Sequence, residues 1–304
     1  MKKKVIGVIL GVVVLLGLGS CLLGEDEDTE YAQVEDDDEE DEEEKEEKQS
    51  GEGDSNVTAT PLSADLTRGM ELSVNGKSGE LSITRFDSFH GEAVEDGIWT
   101  IFVYLCGTDL ESFYGMATGD MEEMLSIDGA DNVRYIVQTG GTQAWYNDEV
   151  DSNATQRFLL QDGYMELVDE QSIAGMGDSA TLTDFLTWGT ENYPSEHTGL
   201  IFWDHGGGSI TGVCFDEMSD YDSLSLLEID QALYSASQNM GQKFDFIGFD
   251  ACLMGTVETA TILATYADYM YGSEETEPGS GWDYNAITEF LYDHPEAGGK
   301  ELGE

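Results

Sequence analysis

The chain has 304 residues, and its 64 acidic against 12 basic side chains give a formal net charge of −52. That balance disfavours nucleic acid as a partner by simple repulsion and steers cationic ligands, such as polypeptides rich in Lys and Arg, toward the surface. The four cysteines are too widely spaced for a disulfide framework, and no cysteine or histidine pair stands at the spacing of a zinc site.

At the start, Lys2, Lys3 and Lys4 precede an apolar stretch from Val5 to Leu18, which Gly19, Ser20 and Cys21 close. This reads as an export signal over residues 1–21. The small residues before Cys21 resemble a bacterial lipoprotein box, which implies lipidation of Cys21 and a chain held on the outer face of the bacterial cell membrane. The simpler alternative is a plain N-terminal anchor. Residues 22–61 are acidic and nearly free of large apolar groups, so they cannot offset their own ordering entropy and read as a self-repelling tether. Residues 62–96 fit a propeptide, a covering hairpin or more tether equally well.

The folded part begins near Gly97. Ile98 to Leu105 is a continuous apolar run of the kind that forms a strand buried on both faces. Thr108 and Glu111 have the spacing of a capping box, with Leu110, Tyr114, Met121, Met124 and Leu125 following at helical intervals. Asn132 to Val137 reads as the next strand, and Phe158 to Leu160 with Tyr164 to Val168 as a hairpin about Asp162-Gly163. Asp178 or Ser179 caps a helix that Pro194 stops, and Ser225 to Glu228 is a second capping box. A helix carrying Leu253, Val257, Ala260, Leu263 and Ala267 follows Cys252, and Tyr269 to Gly272 is a last strand. Strands alternating with helices of this length predict an α/β three-layer sandwich with a mostly parallel sheet.

Two strand ends carry the chemistry. Phe244 to Asp250 runs into Ala251-Cys252, and Gly199 to Asp204 runs into His205-Gly206-Gly207-Gly208. Open parallel sheets collect their chemistry at such ends, so neighbouring strands would bring a thiol nucleophile and a general base to one edge. The helical pattern after Cys252 predicts a thiol at a helix N-terminus, where the dipole favours thiolate. Cys106 and Cys214 read as packing, and His90, His197 and His294 as surface residues.

These blocks resemble the clostripain family of cysteine peptidases, within the clan of caspases, legumains and gingipains. The likeness spans Gly97 to the end of the chain, through Trp99 to Glu111, the His205 and Cys252 strands, and Gly272 to Trp282. It implies a caspase-like fold with Cys252 as nucleophile, His205 as base and acid, and the Gly206 and Cys252 N–H groups as the oxyanion hole. It further implies that Asp250 shapes a pocket for Arg or Lys at P1, with Glu274 and Glu275 as a wall or, together with Glu277, as calcium ligands. Calcium is the one cofactor it suggests. Asp250 and Asp204 also fit helix-cap or turn roles.

Family members often mature by cleavage after a basic residue between the histidine and cysteine blocks. None lies between Arg157 and Lys243, which leaves a single active chain or processing at Arg68, Lys77 or Arg85. Lys300 to Glu304 reads as the opening turn of a helix, and the 97–304 domain as C-terminally incomplete. The expectation is a membrane-tethered endopeptidase cutting after Arg or Lys. The rival is a non-catalytic acidic lipoprotein that binds cationic partners or calcium.

Overall fold

The computed structural model describes residues 89–304 continuously and, before them, only the backbones of four short strands, Val5–Val8, Val12–Leu15, Met70–Val74 and Leu81–Arg85. Cys21 and the acidic tether lie outside the described residues. Met70–Val74 and Leu81–Arg85 pair as a separate antiparallel hairpin.

From Trp99 onward the strands are β1 (Trp99–Cys106), β2 (Val133–Gly140), β3 (Ala154–Gln161), β4 (Tyr164–Ser172), β5 (His197–Trp203), β6 (Val213–Asp216), β7 (Asp222–Leu224), β8 (Phe244–Asp250) and β9 (Ala267–Gly272). All except β6 and β7, which form their own ribbon, build the central sheet in the order β9-β8-β5-β1-β2-β3-β4. Neighbours from β9 to β2 run parallel, and β3 and β4 close one edge antiparallel. Past β9 the sheet continues into the hairpin of Val5–Val8 and Val12–Leu15, with Val12 opposite Met270.

Helices cover both faces: α1 (Thr108–Tyr114), α2 (Met116–Met124), α3 (Ser179–Asn192), the single turn α4 (Gly208–Thr211), α5 (Leu226–Ser237), α6 (Val257–Leu263), α7 (Tyr284–Asp293) and α8 (Gly299–Gly303). The period-2 alternation of β1 makes the three layers visible. Trp99, Ile101, Val103 and Leu105 join one core with Met121 and Met124 of α2 and Tyr284 and Leu291 of α7. Phe102, Tyr104 and Cys106 join the other with Leu182, Phe185 and Leu186 of α3, Ile229 and Leu233 of α5 and Leu263 of α6. Each such large apolar side chain taken from water contributes about 1.5–3 kcal/mol, which is why an unbroken apolar run settles in the middle of the sheet.

Where local signals agree with burial they hold. The Asp178 side chain caps α3, Ser225 and Glu228 form a reciprocal box at α5, and the β3–β4 hairpin turns at Asp162-Gly163. Two expectations are corrected. Thr108 caps nothing with its side chain, because it adopts φ +48°, and Glu111 turns inward to accept from Thr118 N, Thr118 Oγ1 and Tyr146 N at 2.9, 2.6 and 2.7 Å. His197 is no surface residue: it opens β5, stacks on Trp99 with ring centroids 4.9 Å apart, and bonds Asp245 through Nδ1 at 2.9 Å.

Candidate active site

Strands β1, β5 and β8 lie side by side, and their register aligns Leu105 with Trp203 and Trp203 with Asp250. His205 stands two residues beyond Trp203, and Cys252 two beyond Asp250. Equal offsets from a paired position carry both side chains past the same C-terminal edge of the sheet, where α/β proteins place their ligands. Asp204 N–H donates to Asp250 O at 3.3 Å and extends the pairing into the loops.

Cys252 does not sit at a helix N-terminus. Helix α6 starts only at Val257, where the Thr256 side chain accepts Thr259 N–H at 3.1 Å, and Leu253 and Ala267 fall outside it. The cysteine occupies a tight turn instead. Leu253 takes the left-handed conformation at φ +63°, an uncommon strain for a branched side chain of the sort that gathers at functional sites. The turn is pinned by Leu253 N–H on Glu275 O at 2.9 Å and by Gly255 N–H on Ser273 O at 2.7 Å. Glu277 N–H reaches the Cys252 sulfur at 3.3 Å, so the local donor is a loop amide and not a helix terminus.

His205 is partly exposed, and its Nε2 meets Asp109 Oδ1 at 2.7 Å. A carboxylate on one ring nitrogen fixes the tautomer and the ring plane, which leaves Nδ1 to face a reacting group. Sequence reasoning missed Asp109, reading its block only as a helix start. Asp204 is buried beneath the histidine, where its carboxylate accepts the Thr108 hydroxyl and, at 2.5 Å, Phe215 N–H. Burial pushes its carboxyl up to about 7 against those donors. Its role is to fasten the turn after β5, as its turn reading allows.

Gly206 forms an isolated bridge with Val213, but the bonds are made by its neighbours: Gly207 N–H donates to Gly212 O at 2.8 Å, and His205 O accepts Cys214 N–H at 3.3 Å. The pairing therefore makes no use of the Gly206 N–H. A Cβ on Gly206 would fall 2.1 Å from Cys252 O, so the two loops touch backbone to backbone. Two N–H groups held this closely can point at one oxygen.

Asp250 is 5% exposed and, far from capping a helix, accepts Trp282 N–H and Tyr284 O–H on Oδ2, each at 3.0 Å. Glu274 and Glu275 are exposed on the loop that flanks Cys252. Among the described residues no group of three His, Cys, Asp or Glu side chains converges to hold a metal, so that loop gives calcium no side-chain cage. Cys106 is packed in the core, and Cys214 lies fully buried in β6, as the packing reading has it. Arg157 is likewise buried beneath Trp188, donating to Gln138 and Asp184 and ion-paired with Asp169.

The clostripain family profile matches residues 103–304. Clostripain of Hathewaya histolytica is 26% identical over 231 residues, covering 65% of this chain and 42% of its own length. A secreted C11 cysteine protease of Bacteroides thetaiotaomicron, solved with an irreversible peptide inhibitor, superposes with a TM-score of 0.53 at 25% identity, over 64% of this chain and 53% of that one. An inactive zymogen C11 protease of Parabacteroides distasonis shares the fold, with a TM-score of 0.50 at 22% identity over 69% of this chain and 64% of its own. The chain thus spans about half the length of the first two.

Proposed function

Because the chain belongs to the clostripain family of cysteine peptidases, we propose that it is an endopeptidase that cuts after Arg or Lys through Cys252 and His205. The observation that carries this reading is their equal offset past the paired Trp203 and Asp250. His205 takes the thiol proton as Cys252 Sγ attacks the scissile carbonyl, and the Gly206 and Cys252 N–H groups receive the oxyanion. The imidazolium then protonates the leaving amine, and water, activated by the same ring, hydrolyses the thioester.

Asp109 holds the imidazole in place and stabilises the imidazolium formed in each half-reaction. Substituting Asp109→Asn is expected to lower kcat by about a hundredfold or more, as loss of an orienting carboxylate does in Ser-His-Asp hydrolases. Alkylation of Cys252 by a small reagent would persist in that variant. An unchanged kcat would remove Asp109 from the mechanism.

The P1 preference rests on Asp250 at the base of the site, with Glu274 and Glu275 on the loop beside it, and on a net charge of −52 that concentrates cationic chains. Export and lipidation at Cys21 would place the enzyme outside the cell on a membrane face; the secreted relative supports the first part of that, a place outside the cell. The test is hydrolysis of fluorogenic peptides ending in Arg, Lys, Asp or Leu, with and without calcium and a thiol-alkylating agent. Cleavage after Arg or Lys that alkylation abolishes is expected. Preferred cleavage after Asp or Leu would overturn the pocket assignment, and alkylation-resistant cleavage the nucleophile.

A further inference from the structure

Thr108-Asp109, where β1 passes into α1, faces Asp204-His205, where β5 ends. Two side-chain bonds join these dipeptides, and each spans 96 residues of chain, so they lie in register as neighbouring rungs. The outer rung runs from His205 Nε2 to Asp109 Oδ1 at 2.7 Å, between side chains that are 44% and 36% exposed. In the inner rung the Thr108 hydroxyl donates to Asp204 Oδ1, with Thr108 fully buried and Asp204 3% exposed.

The inner rung holds the turn from which the outer one is made. Thr108 has φ +48°, a left-handed conformation that is strained for a β-branched residue and persists only where its surroundings fix it. Three contacts do so: its N–H donates to Gly141 O at 3.2 Å, its carbonyl accepts the Thr142 hydroxyl at 2.8 Å, and its own hydroxyl goes to Asp204. The last of the three reaches the strand that carries His205. A left-handed residue sets the direction in which the next peptide leaves, and with it the place of Asp109. Released from Asp204, Thr108 would relax toward an ordinary conformation and swing Asp109 away from the imidazole.

Asp204 is itself tied on two further sides. Its N–H donates to Asp250 O at 3.3 Å, two residues before Cys252, and its Oδ2 accepts Phe215 N–H at 2.5 Å from β6. It is thus a fixed point between the strand of the nucleophile, the strand of the base and the turn that presents Asp109.

We propose that Asp204 is a positioning residue for the reaction: through Thr108 it sets the left-handed turn that presents Asp109 to His205. The inference rests on the peptidase reading and on Asp109 as the partner of the imidazole. Its size is bounded, because a residue that acts through Asp109 should cost no more than the loss of Asp109 itself.

The experiment is a double-variant cycle on the full chain, read as kcat and KM for the peptide that wild type cleaves fastest, beside thermal unfolding. Asp204→Ala cuts the inner rung and is expected to lower kcat by about ten- to a hundredfold, the ceiling being the loss set for Asp109→Asn, with KM little changed. In the Asp109→Asn background the same substitution should cost about twofold or less in kcat. Its drop in melting temperature should instead be alike in both backgrounds, because the buried bond is lost whether or not the outer rung exists. Asp204→Asn should recover most of the lost kcat. Its amide oxygen serves Phe215 N–H while its NH2 donates to Thr108 Oγ1, whose proton turns to Cys106 O, 3.3 Å away. Thr108→Val keeps the branched shape and loses only the hydroxyl, so it repeats the cycle from the other side of the bond should Asp204→Ala fail to fold. Losses in kcat that multiply in the double variant, full kcat in the single one, or an Asp204→Asn protein as slow as Asp204→Ala would overturn the proposal and leave the peptidase reading intact. An unchanged kcat in Asp109→Asn removes Asp109 and Asp204 from the mechanism together. A wild type that cleaves no peptide strikes the peptidase reading and the inference alike.

Discussion

Cys252→Ala is expected to abolish hydrolysis of Arg- and Lys-ended peptides, with kcat falling by about 10⁴-fold or more while the fold is kept. The size follows from the role proposed for the sulfur: without it no thioester forms, and only binding and oxyanion stabilisation remain to act on water. In a serine protease that residue is about 10³–10⁴ over the uncatalysed rate, against a loss near 10⁶ when the nucleophile is removed. The fold should be indifferent, because the turn at Cys252 is held by its backbone, through Leu253 N–H on Glu275 O and Gly255 N–H on Ser273 O. His205→Ala should cost a similar factor, and the double variant little more than either, since each half of the pair is idle without the other. The measurement is kcat for the three proteins beside their thermal unfolding. Additive losses, or a Cys252→Ala protein that still turns over, would sink the dyad.

Much of this site was legible in the sequence, and the reason is local. A strand buried on both faces writes itself as an unbroken apolar run, so Ile98 to Leu105 and the runs ending at Asp204 and Asp250 mark both the sheet and the edge that carries the candidate site. His205 and Cys252 inherit their placement from those runs. Asp109 was not legible, because it lies on a helix and reaches the site only through packing, at a distance that no spacing along the chain encodes. The helix after Cys252 was misplaced for a related reason. Leu253 continues the apolar spacing of α6 by coincidence, whereas the true start signal, Thr256 capping Thr259, lies further on. The Thr108–Glu111 spacing misled in the same way, since a glutamate that looked like a capping partner was worth more inside, bonded to Thr118 and Tyr146. Matching a local motif to a role succeeds only when tertiary contacts do not offer its side chains a better one.

Gly206→Ala is the companion test, aimed at the oxyanion hole in place of the nucleophile. Its added methyl would fall 2.1 Å from Cys252 O, with Met254 Cγ at 3.1 Å and Ala251 Cβ at 3.2 Å. The first contact is with backbone, in a turn already carrying the strained Leu253, so one of the two loops must move. A shift of about 1 Å between oxyanion donors is enough to cost about a hundredfold in rate, and overpacking of this kind destabilises by about 1–3 kcal/mol. The variant should therefore lose at least a hundredfold in kcat and melt several degrees lower, yet still be alkylated at Cys252, since the sulfur keeps its place on its own turn. That combination separates the hole from the thiol: a dead enzyme with a reactive cysteine has lost the means to stabilise the intermediate, not the means to form it. Full activity in Gly206→Ala would mean that the two loops need not touch during turnover, and the Gly206 N–H would then have no part in holding the oxyanion.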